Sequence, residues 1–348
     1  MTKEQWHADL AYFARELPKR HLNAFHAVTR EQFDAAVKEL DASIDGANDD
    51  AIVVGFQRIT AMIGDGHTVM HIPPNWHRLA VQIEPFGDEW RVTRVPEATK
   101  SILGGRVTAI SGVPIAEVVR RLTAETPQDE LPQLQRFAVT QKIHFAEGLH
   151  GSGITKSADE ATLTVLGDDG ATTDVVVRSV PFNTPTQDWV GISSETPISR
   201  RDPQSAFVVQ YLPAQKTVCV NWRRYENLDN NAAKLWQLVD SSDVNKIVID
   251  LRQNDGGDFK VGRRYMVSEV ARRAAKVKPI VLISARTFSA AMVNAIDLRN
   301  DAPSCFRTPR GSTSSCPRGR RTSSSPTSAS NRRGPTPRPD ATPCWIGH

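Results

Sequence analysis

Cysteine is scarce in this 348-residue chain, and its placement is lopsided. Cys219 stands alone in the first 302 residues, while Cys305, Cys316 and Cys344 fall in the last 46. A disulfide framework is therefore excluded from the body. The tail cysteines lack CxxC spacing and nearby paired histidines, and no other His/Asp/Glu grouping has ligand spacing, so neither a metal site nor a cofactor is expected. No run of about 18 apolar residues exists, so no membrane span is expected. The start, Met1–Leu17, is charged and amphipathic, without the apolar core of a secretory leader. As written the chain reads as cytoplasmic, and a leader further upstream would make it periplasmic or extracellular. No internal repeat stands out.

The last 46 residues, 303–348, also lack Leu, Val, Met and Lys. They hold eight Arg, one Asp and eight Pro, a charge of +7 that leaves the other 302 residues at −3 although the whole chain is +4. The basic character belongs to the tail. The mildly acidic body speaks against a broad nucleic-acid face.

Residues 1–67 read as a helical cap. Trp6, Leu10, Phe13 and Leu17 share one helical face, and Thr29 with Gln32 can form a capping box ahead of Phe33, Val37, Leu40 and Ile44. A third helix carries Ile52, Phe56, Ile59 and Ile63, with Gly64 as its stop. Residues 68–125 form a small β-rich segment. Its strands are expected at Thr68–Ile72, Leu79–Ile83, Trp90–Val95 and Arg106–Ile110, with a helix opened by Pro114. Residues 126–204 are mixed: 126–155 fit no single period, and Ala161–Leu166 with Thr173–Val180 read as a hairpin around Gly167–Gly170. From 205 to 302 strands at Ala206–Tyr211, Thr217–Trp222, Lys246–Leu251 and Pro279–Ser284 alternate with helical stretches, which predicts an α/β core with a mostly parallel sheet.

Three segments could carry chemistry. In Ala285-Arg-Thr-Phe-Ser-Ala-Ala291, Ser289 sits between a strand and a helix whose free N–H groups could stabilise a developing negative charge. An ordinary serine N-cap is the plain alternative. Asp250-Leu-Arg-Gln-Asn-Asp-Gly-Gly257 is a strand followed by a glycine turn. It matches neither a Walker nor a dinucleotide fingerprint, and it reads either as an oxyanion hole or as a plain βα turn. In Gly64-Asp-Gly-His-Thr68 a loop could present His67 as a general base, or His67 is simply a surface histidine.

In this order the three segments resemble the C-terminal processing, or tail-specific, serine peptidases, and particularly their tricorn-core branch. Gly105–Ile115 is similar to that family's PDZ-like piece. The resemblance covers roughly residues 1–302. It implies a crotonase-like spiral α/β catalytic domain with a helical N-terminal cap and a PDZ-like β-rich insert. It also implies peptide-bond hydrolysis through an acyl-enzyme on peptide or unfolded-protein substrates, with a homo-oligomer possible. By position Ser289 would be the nucleophile and His67 the general base. The N–H groups of Ala290 and of Gly256 or Gly257 would be the oxyanion donors, and Thr68 would support the histidine. The Ser–Lys dyad of many members does not fit, because no lysine follows Lys278.

Members of that family continue after the serine helix with further strands and a later acidic site residue. Here the apolar pattern stops at about Ala302, and only Asp340 is acidic beyond it. Residues 303–348 are expected to be disordered. They read as a GC-rich coding region translated out of frame, the alternative being a natural disordered Arg/Ser arm that binds acidic partners. Besides an active peptidase, a catalytically dead peptide-binding remnant and a nucleic-acid binder acting through the tail remain as readings. Sequencing the gene around codon 302 separates the two accounts of the tail. A shifted frame is expected to encode a periodic, apolar continuation with a Gly/Glu-containing turn, whereas early stops or no strand-like pattern would make the tail genuine.

Overall fold

The computed structural model describes residues 1–127, 131–186, 188–192, 198–200, 202, 204–301 and 305–307. Helices α1 (Lys3–Arg20), α2 (Arg30–Ser43) and α3 (Asp49–Met62) form the cap. Each begins on a polar side chain that satisfies an orphan N–H. Thr29 and Gln32 close the expected capping box, Thr2 and Gln5 close a second one, and Asn48 accepts from the Ala51 N–H at 2.8 Å. The apolar faces meet at Leu10, Phe33, Ile44, Ile52 and Ile63, all at most 1% exposed. Gly64 ends α3 at φ +77°, a left-handed position that favours glycine.

Thr68–Ile72 is not a strand. Met70 and Ile72 pack against the cap core, but Pro73-Pro74 follows and no ladder forms, so the alternation reflects burial without pairing. The expected strand Leu79–Ile83 is broken in two. The Val81 N–H donates to the Leu79 carbonyl at 2.7 Å, a three-residue turn that separates β1 (His77–Leu79) from β2 (Gln82–Phe86). There follow β3 (Glu89–Val95), β4 (Arg106–Ile110), β5 (Val113–Pro114) and α4 (Ile115–Thr123), with Pro114 as its N-cap. The stretch left open by periodicity holds α5 (Pro132–Lys142) and α6 (Ala146–Gly151). The hairpin is β6 (Glu160–Leu166) and β7 (Thr172–Pro181), and β8 (Val190–Gly191) follows.

These eight strands make one sheet, in the order β1-β7-β6-β4-β3-β2 with β5 on β4 and β8 on β3. The hairpin thus joins the sheet of the preceding segment and shares its core, in which Ile83, Val107, Leu122, Leu163 and Val177 meet. Burial, with Arg78 nearby, holds the His144 pKa down at about 4, and its neutral Nε2 accepts from the Ile83 N–H at 2.9 Å.

The second sheet contains β9 (Phe207–Leu212), β10 (Thr217–Trp222), β11 (Lys246–Asp250), β12 (Lys278–Leu282) and β13 (Cys305–Arg307), in the order β13-β12-β11-β10-β9. Only the β9–β10 hairpin is antiparallel. Between strands lie α7 (Leu228–Ser241), α8 (Phe259–Gly262), a π-helical turn at Arg263–Val267, α9 (Ser268–Arg273) and α10 (Ala290–Asp301). Of residues 303–348, where disorder is expected, 305–307 are described. Cys305–Arg307 pairs in parallel with Ile280–Leu282, because an edge strand's free N–H and C=O groups accept a neighbour whatever its side-chain pattern. The remainder of the expected tail, 308–348, lies outside the described residues.

Cap and sheet meet where α6 crosses the start of α3. A Cβ at Gly151 would lie 2.4 Å from the Asp50 carbonyl oxygen and 2.8 Å from Val54 Cγ2. Backbone cannot yield as a flexible side chain can, so Gly151→Ala is expected to cost roughly 1–3 kcal/mol by overpacking. Thermal unfolding checks this, and a melting temperature equal to the wild type would refute it.

Candidate active site

β11 and β12 are adjacent and parallel, so the turns leaving their C-terminal ends lie side by side. Hydrogen bonds fasten one turn to the other. The Leu251 N–H donates to Leu282 O at 2.9 Å, Ser284 Oγ to Arg252 O at 2.7 Å, Thr287 Oγ1 to Leu251 O at 2.8 Å, and the Phe288 N–H to Asn254 O at 3.1 Å. Asn254 is fully buried, and its Nδ2 donates to Trp222 O at 3.0 Å, anchoring the glycine turn to β10.

Ser289 follows at φ +52°, one residue ahead of α10. For a residue with a Cβ this conformation costs of order 1–3 kcal/mol and persists only where its surroundings hold it. It lifts the hydroxyl out of the turn toward His67, whose Nε2 lies 3.0 Å from Ser289 Oγ. Gly256, at φ +121°, packs directly beneath. A Cβ there would meet Ser289 Cβ at 2.8 Å and the Ala290 nitrogen at 3.3 Å.

The structure therefore brings Ser289, His67, Gly256 and Ala290 together although 222 residues separate the first two. It also distinguishes the two glycines. The Gly256 N–H already donates to Asn254 Oδ1 at 3.0 Å, whereas a Cβ at Gly257 would meet the Tyr225 ring at 2.5 Å. Ala290 is the first residue of α10, where an N–H has no carbonyl in a preceding turn.

His67 is 63% exposed and stacks on Phe288, ring centroids 4.7 Å apart. Thr68 does not touch the imidazole through its hydroxyl. Thr68 Oγ1 donates instead to Asp65 Oδ2 at 2.8 Å. Asp65 Oδ1 accepts from the His67 backbone N–H at 3.0 Å and lies 3.6 Å from His67 Nδ1. Asp65 Oδ2 also faces His21 Nε2 at 3.1 Å. Partial burial pushes the Asp65 carboxyl up, but the hydrogen bonds from His67, Thr68 and His21 and the nearby His67 charge outweigh it and hold it below the ordinary carboxylate value. Asp65 is not among the residues the sequence singles out, and its one signal there is its place inside Gly64–Thr68. Among the described residues no group of three or more potential ligands could hold a metal ion, and no helix is long and apolar enough to cross a membrane.

Fold and site define an α/β protein with a serine at a strained strand-to-helix turn, a histidine within hydrogen-bond reach and a glycine turn beneath. The fold is shared with CPAF. The structure of mature CPAF complexed with lactacystin aligns over 88% of this chain and 85% of its own at 10% identity and TM-score 0.54. A serine-to-alanine CPAF mutant aligns over 88% and 84% at 10% identity and TM-score 0.57. The photosystem II D1 C-terminal processing protease aligns at 12% identity over 88% of this chain and 82% of its own, but its TM-score of 0.37 is too low for a shared fold to be read from it. No protein-family model matches the chain, and no curated protein matches it significantly in sequence.

Replacing Gly256 tests the packing of the site. Gly256→Ala is expected to lose roughly 1–3 kcal/mol through its left-handed backbone and the Ser289 contact. It should also break the 3.0 Å His67–Ser289 contact. A variant that melts like the wild type and keeps that contact in its crystal structure would overturn the account.

Proposed function

We propose that the protein is a serine peptidase of the C-terminal processing type, nearest to the tricorn-core branch, acting on peptides or unfolded protein segments. The observation that carries this is the 3.0 Å approach of His67 Nε2 to Ser289 Oγ. In this reading Ser289 Oγ attacks the scissile carbonyl carbon while its proton passes to His67 Nε2. The carbonyl oxygen turns toward the N–H groups of Ala290 and Gly257 as it becomes an oxyanion. His67 then protonates the departing amine, and a water deprotonated by His67 releases the acyl group. The strained Ser289 backbone, the Gly256 contact and the fold shared with CPAF support the reading. Within it, the β9–β13 domain is taken as the crotonase-like core and the β-rich segment as the PDZ-like insert. Gly256 acts by leaving space, while Gly257 supplies the N–H.

Covalent labelling tests the proposal without a known substrate. Ser289 is expected to react with a fluorophosphonate, with Ser289→Ala abolishing the label and His67→Ala slowing it by roughly 10²–10⁴-fold, the usual worth of general-base assistance. Mass spectrometry locates the adduct. Modification of another serine with Ser289 untouched would sink the assignment, and peptide affinity without any labelling would make the chain a binding remnant.

A further inference from the structure

We propose that Asp65 is the positioning carboxylate of this site. It would steer His67 Nδ1 toward its own Oδ1 and so keep Nε2 on Ser289, while the cap's His21 and the neighbouring Thr68 fix Asp65 itself. The inference rests on the serine-peptidase reading above.

A general base that takes the serine proton at Nε2 becomes an imidazolium, and its other nitrogen then needs an acceptor. Among the described residues, Asp65 is the carboxylate paired with His67. Its Oδ1 stands 3.6 Å from Nδ1, beyond a hydrogen bond but within ion-pair reach, and such contacts commonly tighten when charge develops. An Asx turn alone would explain the bond from the His67 N–H to Oδ1. It would not explain the two donors on the other oxygen, one of them from the residue that caps the end of α1.

That donor has a defined tautomer. The Asn23 backbone N–H donates to His21 Nδ1 at 3.1 Å, so the ring proton of neutral His21 sits on Nε2, the atom that faces Asp65 Oδ2 at 3.1 Å. His21 is the C-cap of α1 and stacks on His26 with the rings 5° from parallel. The cap thus holds the carboxylate from one side and Thr68 holds it from another. Three donors on a partly buried carboxylate keep it ionised, which is the state needed opposite an imidazolium.

The test uses the full chain and a fluorophosphonate. The Ser289 Oγ–P bond forms, the P–F bond breaks, fluoride leaves and the serine proton goes to His67 Nε2. For Asp65→Asn the maximal labelling rate is expected to fall by roughly 10²–10⁴-fold while the reagent concentration for half-maximal rate stays within about twofold, because ring orientation and charge are lost but the reagent site is not. Added formate should restore part of the rate to Asp65→Gly, and Asp65→Glu should keep more activity than Asp65→Asn. A merely structural role would give no formate rescue. Unchanged Asp65→Asn kinetics, or a fall that formate cannot reverse in a folded Asp65→Gly variant, would overturn the proposal while leaving the peptidase reading intact. If Asp65→Asn does not fold, His21→Ala carries the test. It leaves Asp65 in its turn, should slow labelling about tenfold as one oriented hydrogen bond is lost, and refutes the proposal if it does not. Failure of wild-type Ser289 to label would bring down both readings.

Discussion

Ser289 can stand where it does only because two neighbouring turns are fastened to each other. The parallel pairing of β11 and β12 puts the turns side by side, and four hydrogen bonds lock them. At roughly 0.5–1.5 kcal/mol net apiece, four such bonds outweigh the ~1–3 kcal/mol of a left-handed serine. The strain is therefore held by local structure rather than by the cleft above it. The same fastening sets the position of Gly256 against Ser289, and any side chain there would push the two turns apart.

The histidine arrives by a different route. It belongs to the loop that ends the cap, and two of the contacts this loop makes with the α/β domain are a stacked ring and a hydrogen bond: His67 on Phe288, and Nε2 on Ser289. Neither is strong alone in an exposed setting. The loop must then be stiff in itself, and the residues around Asp65 make it so. Gly64 turns the chain out of α3 at positive φ, and Asp65 gathers donors from His67, Thr68 and His21. The cap core also contributes, since it fixes α1 and α3, from whose C-terminal ends His21 and the loop emerge.

Much of this was legible in residue order. The periodic faces of α2 and α3, the continuous apolar run of β11 and the Gly167–Gly170 hairpin declare themselves because burial on one face or two leaves a regular imprint. The segments Gly64–Thr68, Asp250–Gly257 and Thr287–Ala291 are visible because glycine and serine at element ends mark special backbone. What failed did so for identifiable reasons. Thr68–Ile72 alternates like a strand, but Met70 and Ile72 pack on the cap core without pairing. α5 and α6 are short and share burial with the sheet, so their period is diluted. β13 pairs through its backbone, which side-chain pattern does not report. Asp65 was hidden by proximity: an acid two residues from a histidine reads as turn chemistry, and only the fold brings His21 to its other oxygen.

A glycine turn between a strand and a helix also suits phosphate, and charge decides between the two uses. Asp250, Asp255 and Asp258 line this turn. Arg252 is drawn onto Asp250 in a bidentate pair at 2.9 and 2.7 Å, and Asp255 engages Arg286 at 3.3 Å. Asp258 Oδ1 takes the N–H groups of Lys260 and Val261, at 2.8 and 3.4 Å, and Asn254 takes that of Gly256. A phosphate needs several convergent donors and a surplus of positive charge. This turn has already committed most of its donors and presents carboxylates. A single carbonyl oxygen acquiring charge in a transition state asks for less: two N–H groups close to the attacked carbon, aligned beforehand. In the proposed reading Gly257 and Ala290 meet that smaller demand, next to a serine hydroxyl that lies 3.0 Å from His67 Nε2.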